Sequence, residues 1–135
     1  MLDTNMVSYI VKGHSQAARQ KMLNAKEDTV VCISAITESE ILYGLAKRPE
    51  ATLLQERMMW FLSALQVFPY GSEEARAYGA LRAKLESQGR TLENMDLLIA
   101  AHAIALKAIL VTNDMAFAQV EDLRAAVNWA TDLKG

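Results

Sequence analysis

The sequence predicts a parallel α/β fold whose sheet is covered by helices on both faces, and three observations predict it. Two short apolar runs, TVVCIS at 29–34 and AILVT at 108–112, have the length and β-branched content of buried strands. The segments between them repeat apolar residues at helical spacing, so strands alternate with helices. One helical segment, DLLIAAHAIALK at 96–107, is apolar nearly all round and belongs inside the molecule. Parallel neighbours need long crossovers, which helices of this length supply. With no internal repeat, low-complexity tract or linker, residues 1–135 are expected to form one domain.

The elements follow in order. NMVSYIVK (5–12) sets Met6, Tyr9 and Ile10 on one helical face, with Gly13 as its stop. SQAARQKMLNA (15–25) reads as a second helix and TVVCIS as the first internal strand. TESEILYGLAKR (37–48) is expected to open on Thr37, carry cations in its last turn and stop before Pro49. A longer amphipathic helix spans about 51–65, and QVFPY (66–70) is an edge strand because of Pro69. Ser72 opens a helix that Gly89 closes, Asn94 caps the buried helix, and AILVT precedes a turn of helix at DMAFAQV. VNWA (127–130) is a last short strand.

Composition narrows the function. The chain is 52% hydrophobic and 22% charged, the balance of an ordinary globular protein. Its net charge of −2 creates no general attraction for nucleic acid, so an RNA partner needs local cations or a bridging metal. Cys32 is alone, which rules out an internal disulfide and makes a reduced, cytoplasmic setting the expectation. Apolar stretches stop short of a membrane span, and no signal-peptide pattern opens the chain. His14 and His102 are isolated, without zinc-type spacing, and His102 on the buried helix reads as a hydrogen-bonded core residue.

The acids carry the chemistry. In an open parallel sheet, ligands bind beyond the carboxyl ends of the strands. Asp3 ends the run Met1-Leu2, Glu40 lies in the first turn after TVVCIS, Asp114 follows AILVT, and Asp96 starts the helix feeding that strand. Each has a structural reading too: Thr37 and Glu40 fit a capping box, Asp96 suits a helix dipole, Asn113 suits an N-cap and Asp114 a first-turn acid. As a set, they repel one another unless a cation is present. Hard oxygen donors of this kind suit Mg²⁺ or Mn²⁺, and two such ions can support phosphodiester hydrolysis.

LDTN at 2–5, SAITESEILYG at 34–44, DLLIAAHA at 96–103 and LVTND at 110–114 together resemble the PIN-domain ribonucleases, and more closely the VapC toxins of type II toxin–antitoxin systems. The resemblance runs from residue 2 to about Trp129. It implies a three-layer α/β/α sandwich with a central parallel sheet. It also implies a pocket in which Asp3, Glu40, Asp96 and Asp114 bind Mg²⁺ or Mn²⁺ and drive endonucleolytic RNA cleavage. Thr4, Asn5 and Thr112, with Ser34 and Asn113, match polar positions that orient the acids or their waters. The implied target is the anticodon stem-loop of initiator tRNA or a ribosomal RNA loop. The implied partners are a second copy of the chain and a VapB-like antitoxin.

Two departures stand out. The strand ahead of Asp3 is reduced to Met1-Leu2, so either the native start lies upstream or its pairing is minimal. Asp114 occupies a position where relatives often have Asn, adding negative charge. Lys12, Lys47, Arg48, Arg82, Lys84 and Arg90 are candidate phosphate contacts. RMMWFLSALQVF (57–68) reads first as core and second as a partner surface. Two other classes remain open: a non-catalytic PIN-like binding module, and a phosphoryl-transfer domain with Asp3 as nucleophile, although the D-x-D pattern is absent (the chain has Asp-Thr-Asn).

Overall fold

The structure, a computed structural model, describes residues 1–25 and 27–129. Its helices are α1 (Thr4–Lys12), α2 (Gln16–Leu23), α3 (Ala35–Ala46), α4 (Thr52–Ser63), α5 (Ser72–Ser87) and α6 (Asn94–Leu106). Its strands are β1 (Cys32–Ser34), β2 (Gln66–Phe68), β3 (Leu110–Val111) and β4 (Ala126–Val127), with a 3₁₀ turn at Met115–Gln119. α1 ends at Gly13 as expected, with φ of 73°, a left-handed backbone that glycine enters without steric cost. Ala130 of the expected last strand lies outside the described residues.

Two helix starts differ from expectation. α3 begins at Ala35, with Ser34 as N-cap accepting from the Ile36 amide at 3.0 Å. Thr37 therefore lies inside the helix, fully buried, and the Thr37–Glu40 capping box does not form. α5 opens at Ser72 as expected, with Glu73 and Glu74 in its first turn, and Glu74 Oε2 accepts from the Gly71 amide at 3.1 Å. Glu93, not Asn94, holds the N-cap position of α6.

The strands lie in the order β2, β1, residues 1–3, β3, β4. β1 pairs with β2 in parallel, Cys32 opposite Gln66, and β3 pairs with β4 in parallel, Leu110 opposite Ala126. The N-terminal segment joins the halves: the Leu2 amide donates to Cys32 O at 2.9 Å, and Leu2 bridges Val111 in parallel. Asp3 N donates to Val111 O at 3.0 Å and Val111 N to Met1 O at 2.7 Å. Short as it is, the segment ahead of Asp3 is hydrogen-bonded on both sides.

Alternation along these central strands builds the two faces. Met1, Cys32 and Leu110 enter one apolar cluster with α5, α6 and Phe117. Leu2, Ile33 and Val111 enter the other, with Met6, Val7 and Ile10 of α1, Ile41 and Leu45 of α3, and Met58, Phe61 and Leu62 of α4. A period of two thus sorts successive residues into opposite layers, giving the α/β/α sandwich. α6 is buried as its composition required, with Leu97, Ile99, Ala100, Ala101, His102 and Ala103 all inside.

Candidate active site

Asp3 sits where the central segment turns into α1. It is 4% exposed and caps that helix, Oδ1 accepting from the Met6 amide at 2.8 Å. Its other oxygen accepts from the Thr112 hydroxyl across the sheet. Burial nevertheless holds its pKa above the ordinary carboxylate value, with the charges of Asp114 and Glu40 adding to the rise and the two hydrogen bonds opposing it.

Glu40 arrives from the other side, on the second turn of α3. With no capping box to form, its carboxylate accepts from Thr4 Oγ1 at 2.6 Å. Thr4 is the first residue of α1, directly after Asp3, so one hydroxyl ties the second acid to the start of the helix that the first acid caps.

Asp96 stands in the first turn of α6, half-buried. Its pKa is pushed from 3.8 up to about 6, chiefly by desolvation and then by the charges of Asp114, Glu93, Asp3 and Glu40. Asp114 caps the 3₁₀ turn, accepting from the Ala116 amide at 2.9 Å, and its own amide donates to Thr112 Oγ1 at 3.0 Å. The cap role expected of Asn113 therefore falls to Asp114. Thr112, 4% exposed, touches both Asp3 and the Asp114 backbone and sets the spacing between them.

The four acids share one field at the strand ends, as their mutual effects on Asp3 and Asp96 show. Among the described residues, however, no three acid, histidine or cysteine side chains close around a common point. A site of that kind fits an ion that keeps several of its own waters and takes one or two carboxylates, as Mg²⁺ does. It does not fit a dehydrated, all-protein cage.

The remaining sequence candidates scatter. Asn5 is exposed on α1 and Asn113 is half-buried beside Asp114. Lys47 is exposed at the end of α3, 5.1 Å above the Tyr43 ring, next to exposed Arg48. Arg82 pairs with Glu86 at 3.0 Å, Lys84 with Asp122 at 3.0 Å, and Arg90 donates to Gln119 O at 3.1 Å and reaches Glu121 at 3.4 Å. Lys12 lines a different feature, an apolar groove of about 520 Å³ between α1, α2 and α4. Trp60, 73% exposed, lines it too, with Met22, Leu23 and Leu53. The Met-rich run thus divides: Met58, Phe61 and Leu62 are core, while Met59 and Trp60 face out.

Behind the acids lies a contact between residues 68 positions apart. Fully buried His102 on α6 meets Ser34 Oγ at 2.7 Å through Nδ1. Its Nε2 faces Glu74 Oε1 at 3.7 Å, and the Tyr70 ring stands edge-on to it. Burial holds the imidazole pKa below its ordinary value, with Glu74 acting the other way. Neither histidine spacing nor any local motif signals this link.

A parallel three-layer fold with acids gathered at its strand ends is the architecture of a PIN domain, and the PIN-domain family model matches residues 1–123. The chain is 36% identical over 115 residues to ribonuclease VapC2 of Rickettsia felis, covering 85% of this chain and 86% of that protein. It is 35% identical over 117 residues to the tRNA(fMet)-specific endonuclease VapC of Shigella flexneri, covering 84% and 85%. Among solved structures it superposes on VapBC2 of Rickettsia felis, bound to a promoter DNA fragment, with a TM-score of 0.89 at 34% identity over 96% and 97% of the chains. The chain belongs to the VapC ribonuclease family of PIN-domain proteins.

Proposed function

We propose that this protein is a divalent-metal-dependent endoribonuclease toxin that hydrolyses an RNA phosphodiester bond in the cytoplasm. Its favoured substrate is initiator tRNA, cut in the anticodon stem-loop; the Shigella relative's name specifies tRNA(fMet) and no position within it. The observation that carries the reading is the strand-end set of Asp3, Glu40, Asp96 and Asp114, whose unrelieved negative charge suits a cation and, through it, a phosphate.

Asp3 and Asp96 would hold the ion, with Asp114 beside them. A bound Mg²⁺ or Mn²⁺ supplies Lewis acidity, lowering the pKa of a water and offsetting charge on the phosphate. Glu40, held by Thr4, orients the attacking water and takes its proton. Thr112, by donating to one Asp3 oxygen while the Met6 amide holds the other, orients that carboxylate. Thr4 and Asn113 stand beside Glu40 and Asp114 as polar neighbours, whereas the buried Ser34 hydroxyl is taken up by the Ile36 amide and His102. Exposed Lys47 and Arg48 are better placed to take RNA phosphates than Lys84, which Asp122 already engages.

The protein acts as a homodimer neutralised by a VapB-like antitoxin, and relatives have been solved as VapBC complexes. The groove carrying Trp60 is the surface for that partner. It exposes apolar area flanked by Lys12, Arg19 and Arg57 against Glu56, which favours a segment with an apolar face and acidic neighbours.

The test incubates antitoxin-free protein with initiator tRNA, elongator tRNAs and ribosomal RNA in Mg²⁺, Mn²⁺ or EDTA. A discrete, EDTA-sensitive cut, absent in Asp3→Asn and Asp96→Asn, is the expected result. Intact RNA with wild type under every condition, alongside retained RNA binding, would make the protein a binding module instead.

A further inference from the structure

His102 lies outside the acid crevice, yet it sits between the two helices that deliver Glu40 and Asp96. It belongs to α6, six residues beyond Asp96, about 9 Å along the helix axis. Its Nδ1 lies 2.7 Å from Ser34 Oγ, and that oxygen is the N-cap of α3, the helix of Glu40.

Hydrogen counting settles which atom carries the ring proton. Ser34 Oγ already accepts from the Ile36 amide at 3.0 Å, leaving its own O–H to place. His102 Nδ1 is the acceptor the structure offers it. The ring proton then sits on Nε2, which is the buried side-chain polar atom without a hydrogen-bond partner among the described residues. It points toward the Glu74 carboxylate 3.7 Å away, where an N–H is favoured over a lone pair. Glu74 is itself held at the start of α5 by the Gly71 amide. The opposite tautomer would leave the Ser34 proton without an acceptor among the described residues and turn a lone pair toward a carboxylate.

We infer that His102, as the Nε2–H tautomer, is a positioning residue that locks the start of the Glu40 helix to the Asp96 helix by accepting the Ser34 hydroxyl. It touches neither substrate nor ion. Its effect is on the spacing of two acids that arrive on separate helices, and small errors in such spacing are costly in rate. The inference rests on the nuclease reading for its kinetic consequence but not for its geometry.

Two substitutions separate the ring's two nitrogens. In His102→Asn the side-chain amide reaches the Nδ1 position and can accept from Ser34. In His102→Gln it reaches the Nε2 position and leaves Ser34 unpaired. The expected pattern is a kcat lowered about tenfold or more in His102→Gln with KM unchanged, and most of kcat kept in His102→Asn. Mn²⁺ affinity, followed by electron paramagnetic resonance without RNA, should fall several-fold in His102→Gln and hold in His102→Asn. ¹⁵N NMR of the wild-type imidazole should place the proton on Nε2.

A proton on Nδ1, equal losses in both variants, or wild-type kcat and Mn²⁺ affinity in His102→Gln would each overturn the inference. Wild-type protein that cuts no RNA would instead count against the nuclease reading, while the Mn²⁺ series and the tautomer still decide the role of His102. Should His102→Gln fail to fold, the wild-type tautomer and the His102→Asn values decide it.

Discussion

The crevice around Asp3 is incomplete in charge, whereas the groove between α1, α2 and α4 is incomplete in apolar contact. In the crevice four carboxylates share one field, with no cation acting on Asp3 or Asp96 among the described residues, and burial drives both toward the neutral form. In the groove Trp60, Leu23 and Leu53 stand open to water beside Lys12, Arg19 and Arg57. The same fold thus exposes two surfaces that cost stability when alone, and each cost names its occupant. On the proposed function, a small hard cation would relieve the first and an amphipathic chain the second. They use opposite ends of α1, whose start carries Asp3 and Thr4 and whose last turn lines the groove.

The largest effect that sharpens this comparison should come from removing charge in the crevice. Asp3→Asn and Asp96→Asn should each lower cleavage by at least about a hundredfold, since even outer partners of metal ligands carry roughly ten- to hundredfold effects. The metal-free Tm should hold or rise, because an Asn at position 3 can still cap α1 while a repelled buried charge is gone. A Tm that drops sharply in both variants would mean the acids hold the fold together.

Next is the groove. Trp60→Ala should leave cleavage and Tm near wild type and weaken binding of the cognate antitoxin by about 2 kcal/mol, roughly 30-fold. Calorimetric titration measures this, and unchanged affinity would move the antitoxin elsewhere.

The pH dependence tests the crevice from a third side. The folded-state pKa of Asp96 is about 6 against 3.8, so its ionised form is disfavoured in the native protein. A raised carboxylate pKa lowers stability above that value, and the loss is recovered as pH falls through about 6 toward the unfolded value. In EDTA the contribution of Asp96, joined by Asp3, should raise Tm as pH drops from 7.5 to 5.5, and Mg²⁺ should raise Tm more at 7.5 than at 5.5. The rise should be lost in the Asp3→Asn, Asp96→Asn double variant, leaving the opposing fall in stability that His102, its pKa lowered by burial, imposes as pH drops below 6.5. The smallest effect belongs to an exposed ion pair: Lys84→Ala, which frees Asp122, should shift stability by no more than about 1 kcal/mol and leave both surfaces as they were.

Much of this was legible residue by residue. Ile33 and Val111, in β-branched runs, announced buried strands, and Leu97 through Ala103 announced an inner helix. The acids could be assigned to strand ends because parallel α/β connectivity puts the carboxyl ends together. Helix starts were less legible, since Thr37 and Asn94 each carry a sound local cap signal that the chain did not use. The Thr37 case matters most, because moving the cap to Ser34 left the Glu40 carboxylate available to Thr4.

The sequence by itself determined the alternation of strands and helices, the acids at the strand ends and the family they belong to. These follow from local periodicity and residue chemistry, which act over a few neighbours. Only the tertiary structure decided that Thr112 would hold Asp3, that Trp60 would face out while Phe61 faced in, and that His102 would meet Ser34. Those contacts join residues far apart in the chain. Which side chain finds which partner depends on how the helices settle onto the two faces of the sheet, and no short stretch of sequence contains that information.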